Sequence, residues 1–262
     1  MRRLRWGLLI GVLGVTVVVA TPPPSEAAQC APDTVPSGNS CIDRYEASVW
    51  QTTNPGLIRL IKLGRVTLAR LTAAGATPLG LAAGDLVAAG CPTTGNGCTN
   101  VYAVSIPGVE PAHDLTWFQA AAAARNAGKR LPTNAEWQAA ALGTPDTGGA
   151  DNGTTTCNTD NLAPGVTPTG SRSACVSDVG AFDMVGNLWE WVADWVPLST
   201  ICVTGLFGTG DANCLAGAST LNGPGALIRG GDFFGSVAGV FAVAGDNAPS
   251  GAFGRVGFRA AR

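Results

Sequence analysis

The chain is poor in the groups that several functional classes need. Only 13% of its 262 residues are charged and only two are lysine, Lys62 and Lys129, so no basic stripe exists for a nucleic-acid backbone and no nucleic-acid partner is expected. Its single histidine, His113, stands alone, which excludes the histidine clusters that hold iron. No C-x-x-C spacing occurs and no cysteine follows Cys214. No repeat with a period of tens of residues is visible, which excludes solenoids and propellers.

What is present begins with an export pattern. Arg2, Arg3 and Arg5 precede an apolar run from Trp6 to Ala20, and Thr21 to Pro24 leads to a small-x-small site at Ser25-Glu26-Ala27. Residues 1–27 therefore read as a signal peptide, with an uncleaved anchor as the alternative, because the run is shorter than the roughly 20 residues of a spanning helix. Losing three arginines and one glutamate with that segment takes the formal charge from −2 to −4. The eight cysteines fall as four close pairs: Cys30/Cys41, Cys91/Cys98, Cys157/Cys175 and Cys202/Cys214. An even count in an exported chain points to disulfides, each pair stapling a local loop, though 105 connectivities are formally open. A periplasmic, cell-surface or extracellular location is expected.

Alternation of Ile42, Arg44 and Glu46 with Cys41, Tyr45 and Ala47 predicts a half-buried strand. Residues 55–90 carry apolar side chains at helical spacing broken by Gly64 and Gly75, which predicts two short helices. A helix over about Thr116 to Ala127 is expected, capped by Asp114 or Thr116 and stopped by Gly128. A second begins at Thr133-Asn134-Ala135-Glu136, the spacing of a capping box. Trp117, Phe118 and Trp137 are expected in the core. Residues 144–180 read as a loop, and beyond Phe182 short apolar runs between Gly-rich turns predict irregular strands.

Three segments, Gly128–Gly143 (GKRLPTNAEWQAAALG), Gly180–Trp195 (GAFDMVGNLWEWVADW) and Arg229–Arg259 (RGG…GFR), together with CIDRYEAS, fall in the order of the formylglycine-generating-enzyme, or sulfatase-modifying-factor, family, which the chain resembles over roughly residues 40–262. Residues 55–110 match least and read as an insertion in a domain running from 28 to 262. The resemblance implies an α+β, C-type-lectin-like fold. It also implies a structural Ca²⁺ in the DMVGNLWEW segment, held by the side chains of Asp183 and Glu190 and the carbonyls of Gly186 and Leu188; hard oxygen donors at short spacing suit that ion. A second calcium would lie near Asn158 to Ser177, with ligands that the resemblance does not place.

Family oxidases bind copper and accept the substrate thiol through a cysteine pair after the RGG turn. Gly235 and Val240 stand at those positions here, and neither can act as a thiolate. No copper or iron site is expected, and the family's oxidoreductase activity on sulfatase cysteines remains only as an alternative that would draw on Cys202 or Cys214. The tail instead resembles the variable region of lectin-fold proteins diversified by retroelements: dissimilar patches at Asp232–Val237, Ala244–Asp246 and Gly251–Val256 separate regular pieces. A drifted oxidase tail is the plainer alternative. Either way the loop face 232–256 is expected to bind an unidentified protein or glycan through Asp232, Phe233, Phe234, Ser236, Asp246, Phe253 and Arg255, since aromatic and arginine anchors dominate binding surfaces. A monomer is expected.

Overall fold

A computed structural model describes residues 30–146, 151–162 and 164–262. The expected signal peptide, 1–27, lies outside the described residues. The chain enters through a hairpin of β1 (Thr34–Ser37) and β2 (Ser40–Asp43), then β3 (Ser48–Gln51). Next come α1 (Pro55–Lys62), α2 (Leu68–Ala73), β4 (Thr77–Leu79), α3 (Asp85–Ala88) and β5 (Val101–Val104). The helices α4 (Trp117–Asn126) and α5 (Asn134–Ala141) follow. The rest is strand and loop: β6 (Trp189–Pro197), β7 (Ile201–Thr204), β8 (Ala212–Ala216), β9 (Pro224–Arg229), β10 (Val243–Asn247) and β11 (Val256–Phe258). This is the expected α+β class.

The main sheet has six strands in the order β11-β6-β9-β10-β8-β7, mixed because β11 pairs parallel to β6 and β10 parallel to β8. An antiparallel sheet, β4-β3-β5, holds two strands from residues 55–110, so the stretch with the weakest family match contributes directly to a sheet. Both helices of α4–α5 start with complete capping boxes, Thr116 with Gln119 and Thr133 with Glu136, each pair satisfying two backbone donors that a helix start would otherwise leave open. The apolar core runs from Val49 and Ile61 through the alanine face of α4 to Trp191 and Phe258.

The predicted strand over Cys41–Ala47 is cut short. β2 stops at Asp43 and β3 starts at Ser48, because the chain bends where Tyr45 stacks on Phe182, ring centres 5.2 Å apart, and the Arg44 carbonyl accepts from the Phe182 N–H at 2.8 Å. Trp137 is fully buried, but Trp117 and Phe118 are only half-buried. They form an edge-on cluster with the exposed Trp195, a partner that helical periodicity does not reveal. All four expected cysteine pairs are disulfides and no cysteine is free. Such short loops contribute up to about 3 kcal/mol per bridge by restricting the unfolded chain. The bridges fit an oxidising, extracytoplasmic setting. Among the described residues, no helix is long and apolar enough to cross a membrane.

Candidate functional site

Two sites emerge, one buried and one open. The buried one centres on the loop 183–187, which turns through left-handed backbone at Asp183 (φ 57°), Gly186 (φ 75°) and Asn187 (φ 59°). Gly186 is required there: a Cβ would stand 2.2 Å from the Asn158 carbonyl oxygen. Asn187 binds the loop to its surroundings. Its Oδ1 accepts from the Thr167 N–H and from Asn158, while its Nδ2 donates to Glu46 at 2.5 Å.

Behind this loop three buried carboxylates, Glu46, Asp183 and Glu190, surround the guanidinium of Arg259. Glu190 accepts from Arg259 Nε at 2.7 Å, from Arg259 Nη2 at 2.5 Å and from the Trp137 indole at 2.7 Å. Asp183 accepts from the Gly170 N–H at 2.7 Å, and Glu46 from the Leu188 N–H at 3.1 Å. Burial pushes the Asp183 carboxyl up to about 7, and burial with the charges of Asp183 and Glu190 pushes Glu46 well above its ordinary value. Three buried carboxyl groups thus share one arginine, and the raised values of Asp183 and Glu46 reflect burial and the lack of a second cation beside them.

The four residues expected to hold calcium, Asp183, Gly186, Leu188 and Glu190, thus lie on one loop and the start of β6. By charge they fit a hard cation. Glu190 is already committed to Arg259 and Trp137, so it would share its oxygens. Glu46 and Arg259 were missing from the expected set; Glu46 precedes Asn187 by 141 residues, and no local spacing signals the pairing. The stretch Asn158–Ser177 contains a cation of its own. Arg172, 2% exposed, donates to Asp151 at 3.0 Å and to Asn158 at 3.1 Å.

The open site is a cleft of about 720 Å³ between the main sheet and the tail loops. Trp189, Asp232, Asp246, Asn247, Phe253 and Arg255 line it, with the Cys202–Cys214 bridge in its wall. Four residues of the predicted loop face, Asp232, Asp246, Phe253 and Arg255, meet here. Phe234 sits beside the cleft, 58% exposed, with the Arg255 guanidinium 5.0 Å above its ring. Phe233 is half-buried and held by backbone hydrogen bonds to Asn161 and Asn187, and Ser236 is exposed; neither lines the cleft. Trp189, Asn247 and the disulfide are among the lining groups that lie outside the tail patches.

Asp232 organises the rim. Its Oδ1 accepts from the Phe234 N–H at 2.8 Å, Arg255 approaches its Oδ2 at 3.4 Å, and burial raises its carboxyl above the ordinary range against the pull of these donors and of the Trp189 indole. Of the two positions that hold cysteine in the family's oxidases, Gly235 is half-buried, and Val240 packs against the core with its carbonyl accepting from Gln138 and Arg229.

The chain is 33% identical over 139 residues to a hercynine oxygenase of Mycobacterium tuberculosis, covering 47% of this chain and 32% of that protein. It is 36% identical over 101 residues to a formylglycine-generating enzyme of Thermomonospora curvata, covering 32% of this chain and 33% of that one. It thus spans about a third of the length of these curated relatives. Among solved structures, it is similar to the Major Tropism Determinant M1 variant (TM-score 0.47, 20% identity, 90% of this chain and 53% of that one). It is similar too to PvdO from Pseudomonas aeruginosa (TM-score 0.42, 22% identity, 85% and 80% covered). The model of the sulfatase-modifying factor enzyme 1-like domain matches residues 44–262, most of the chain, and the protein belongs to that C-type-lectin-like α+β family.

Proposed function

We propose that this family member is an exported binding module that takes a protein or glycan ligand in the cleft at residues 232–256. One observation carries the reading: Asp232, Asp246, Phe253 and Arg255, from three separate tail patches, converge with Trp189 on one open cleft of about 720 Å³. Partly exposed aromatic faces beside fixed polar groups suit recognition of a sugar or a side chain. The thiol chemistry of the family's oxidases has no free cysteine to work with, and Gly235 and Val240 replace its pair. Calcium enters as a structural ion at Asp183, Gly186, Leu188 and Glu190, supported by the surplus of buried carboxylates. It would bind the loop against the core and take no part in ligand contact.

The test is a screen of the mature domain on a glycan array and an immobilised peptide library. A saturable hit should weaken about tenfold or more in Phe253→Ala/Arg255→Ala, the loss expected for two anchors at a binding centre. No saturable binding, or binding indifferent to these changes, would overturn the reading.

A further inference from the structure

The geometry points to the Cys202–Cys214 disulfide as a thiol-exchange site through which the cleft captures a positively charged, thiol-bearing ligand. Among the eight cysteines only Cys202 is exposed. Cys91, Cys98, Cys157 and Cys175 are at most 3% exposed, Cys41 is 7% exposed and Cys30 is half-buried. Cys214, the partner, is 6% exposed, and both sulfurs' residues line the cleft. A disulfide is opened by a thiolate that reaches one sulfur, so access selects Cys202 as the target and Cys214 as the leaving group.

The exchange balances without an outside oxidant. The ligand's thiolate sulfur bonds to Cys202 Sγ, the Cys202–Cys214 bond breaks, and Cys214 departs as a thiolate that takes a proton from water. The oxidising equivalent of the bridge is kept in the mixed disulfide. The fold permits this, because β7 is an edge strand already paired with β8, and the sheet order does not depend on the bridge between them. Opening Cys157–Cys175, by contrast, would disturb a fully buried cluster.

Charge sets the class of ligand. Asp246 Oδ2 lies 3.7 Å from Cys202 Sγ, and among the described residues no cation pairs with it. Its neighbour Asn247 donates to Oδ1 at 2.9 Å, which fixes the carboxylate in place. The other charges of the cleft, Asp232 and Arg255, offset each other at 3.4 Å. An incoming thiolate therefore meets an unmatched negative charge, and a cationic group next to the thiol relieves it. This goes beyond the proposed binding role and needs only that solutes enter the cleft, so either can fail alone.

The experiment exposes the folded protein for set times to cysteamine, mercaptoethanol or mercaptopropionate at matched thiolate concentration, then maps adducts by mass spectrometry. Adducts should appear first on Cys202, with cysteamine about fivefold faster than mercaptopropionate, the size of one charge contact in water. Asp246→Asn should bring the rates together. The double variant Cys202→Ser/Cys214→Ser, shown to be folded by circular dichroism, should form no early adduct. No adduct at all, an adduct first at Cys30 or Cys41, rates blind to thiol charge, or early labelling that persists in the double variant would each overturn the assignment.

Discussion

Arg259 reaches Glu190 with Nε and Nη2 at 2.7 and 2.5 Å, and neither side chain is more than 1% exposed. Arg259→Met should therefore leave three buried carboxylates without their cation. Removing one partner of a buried pair typically costs about 3–5 kcal/mol. Urea denaturation should show a loss of that order, and a variant within about 0.5 kcal/mol of the parent would mean that the pair is not what holds β6 to β11.

For calcium, a chelator should lower the melting temperature of the parent protein, and Asp183→Ala/Glu190→Ala should lower it without chelator and abolish the chelator response. If the ion binds at this loop, added calcium protects only the parent. A chelator shift of equal size in the double variant would place the ion elsewhere.

Arg172 offers a matching test without a metal. Arg172→Met should strand Asp151 and Asn158, two buried acceptors, and destabilise the protein by about 3 kcal/mol. Adding Asp151→Asn to the variant should recover part of the loss, because a neutral amide costs less to bury than an unpaired carboxylate. Failure to recover any would show that Asp151 is not the group being neutralised.

Acid should weaken the start of α5 in a definable window. The Arg130 guanidinium, with Ser40 and the Thr133 N–H, holds the Glu136 carboxyl down at about 2 against the opposing effect of burial. A carboxylate lowered in the folded state stabilises fully above its unfolded value near 4.5 and loses that contribution as the pH falls towards 2. Glu136→Gln should thus be less stable at neutral pH and show a shallower loss below about pH 4.5 in thermal melts. Parallel curves for the two proteins would refute the assignment.

Gly186→Ala should be among the most damaging single-methyl changes. It combines a left-handed backbone with a Cβ placed 2.2 Å from the Asn158 oxygen and 2.8 Å from Thr159 Cγ2. Strain of this kind costs about 1–3 kcal/mol before the clash is counted. Gly75→Ala, with the same sign of φ but open space around it, provides the control and should cost less.

Local signals in the sequence translate directly into structure. Thr133 and Glu136 form the capping box that their spacing predicts, and the close cysteine pairs are the disulfides. These features depend on residues within one turn or one loop. Distant pairings were not legible: Glu46 with Asn187, Arg259 with Glu190, and Trp195 with Trp117 join parts of the chain that no periodicity relates. The break after Asp43 belongs with them, since its cause is Phe182. In the open site, the tail pattern indicated Asp232, Asp246, Phe253 and Arg255, but the opposite wall comes from β6 and the β7–β8 hairpin.

The parallel pairing of β11 with β6, and the hydrogen bonds of Arg262 to Cys41 at 2.8 and 3.2 Å, carry a consequence for the order of folding. Ala261 bridges both Ile42 and Arg130, so the entry hairpin and the segment between α4 and α5 meet on one residue of the tail. β2 can pair with β1 as soon as both are made, but the backbone bridges that tie this hairpin to the body of the fold need the tail.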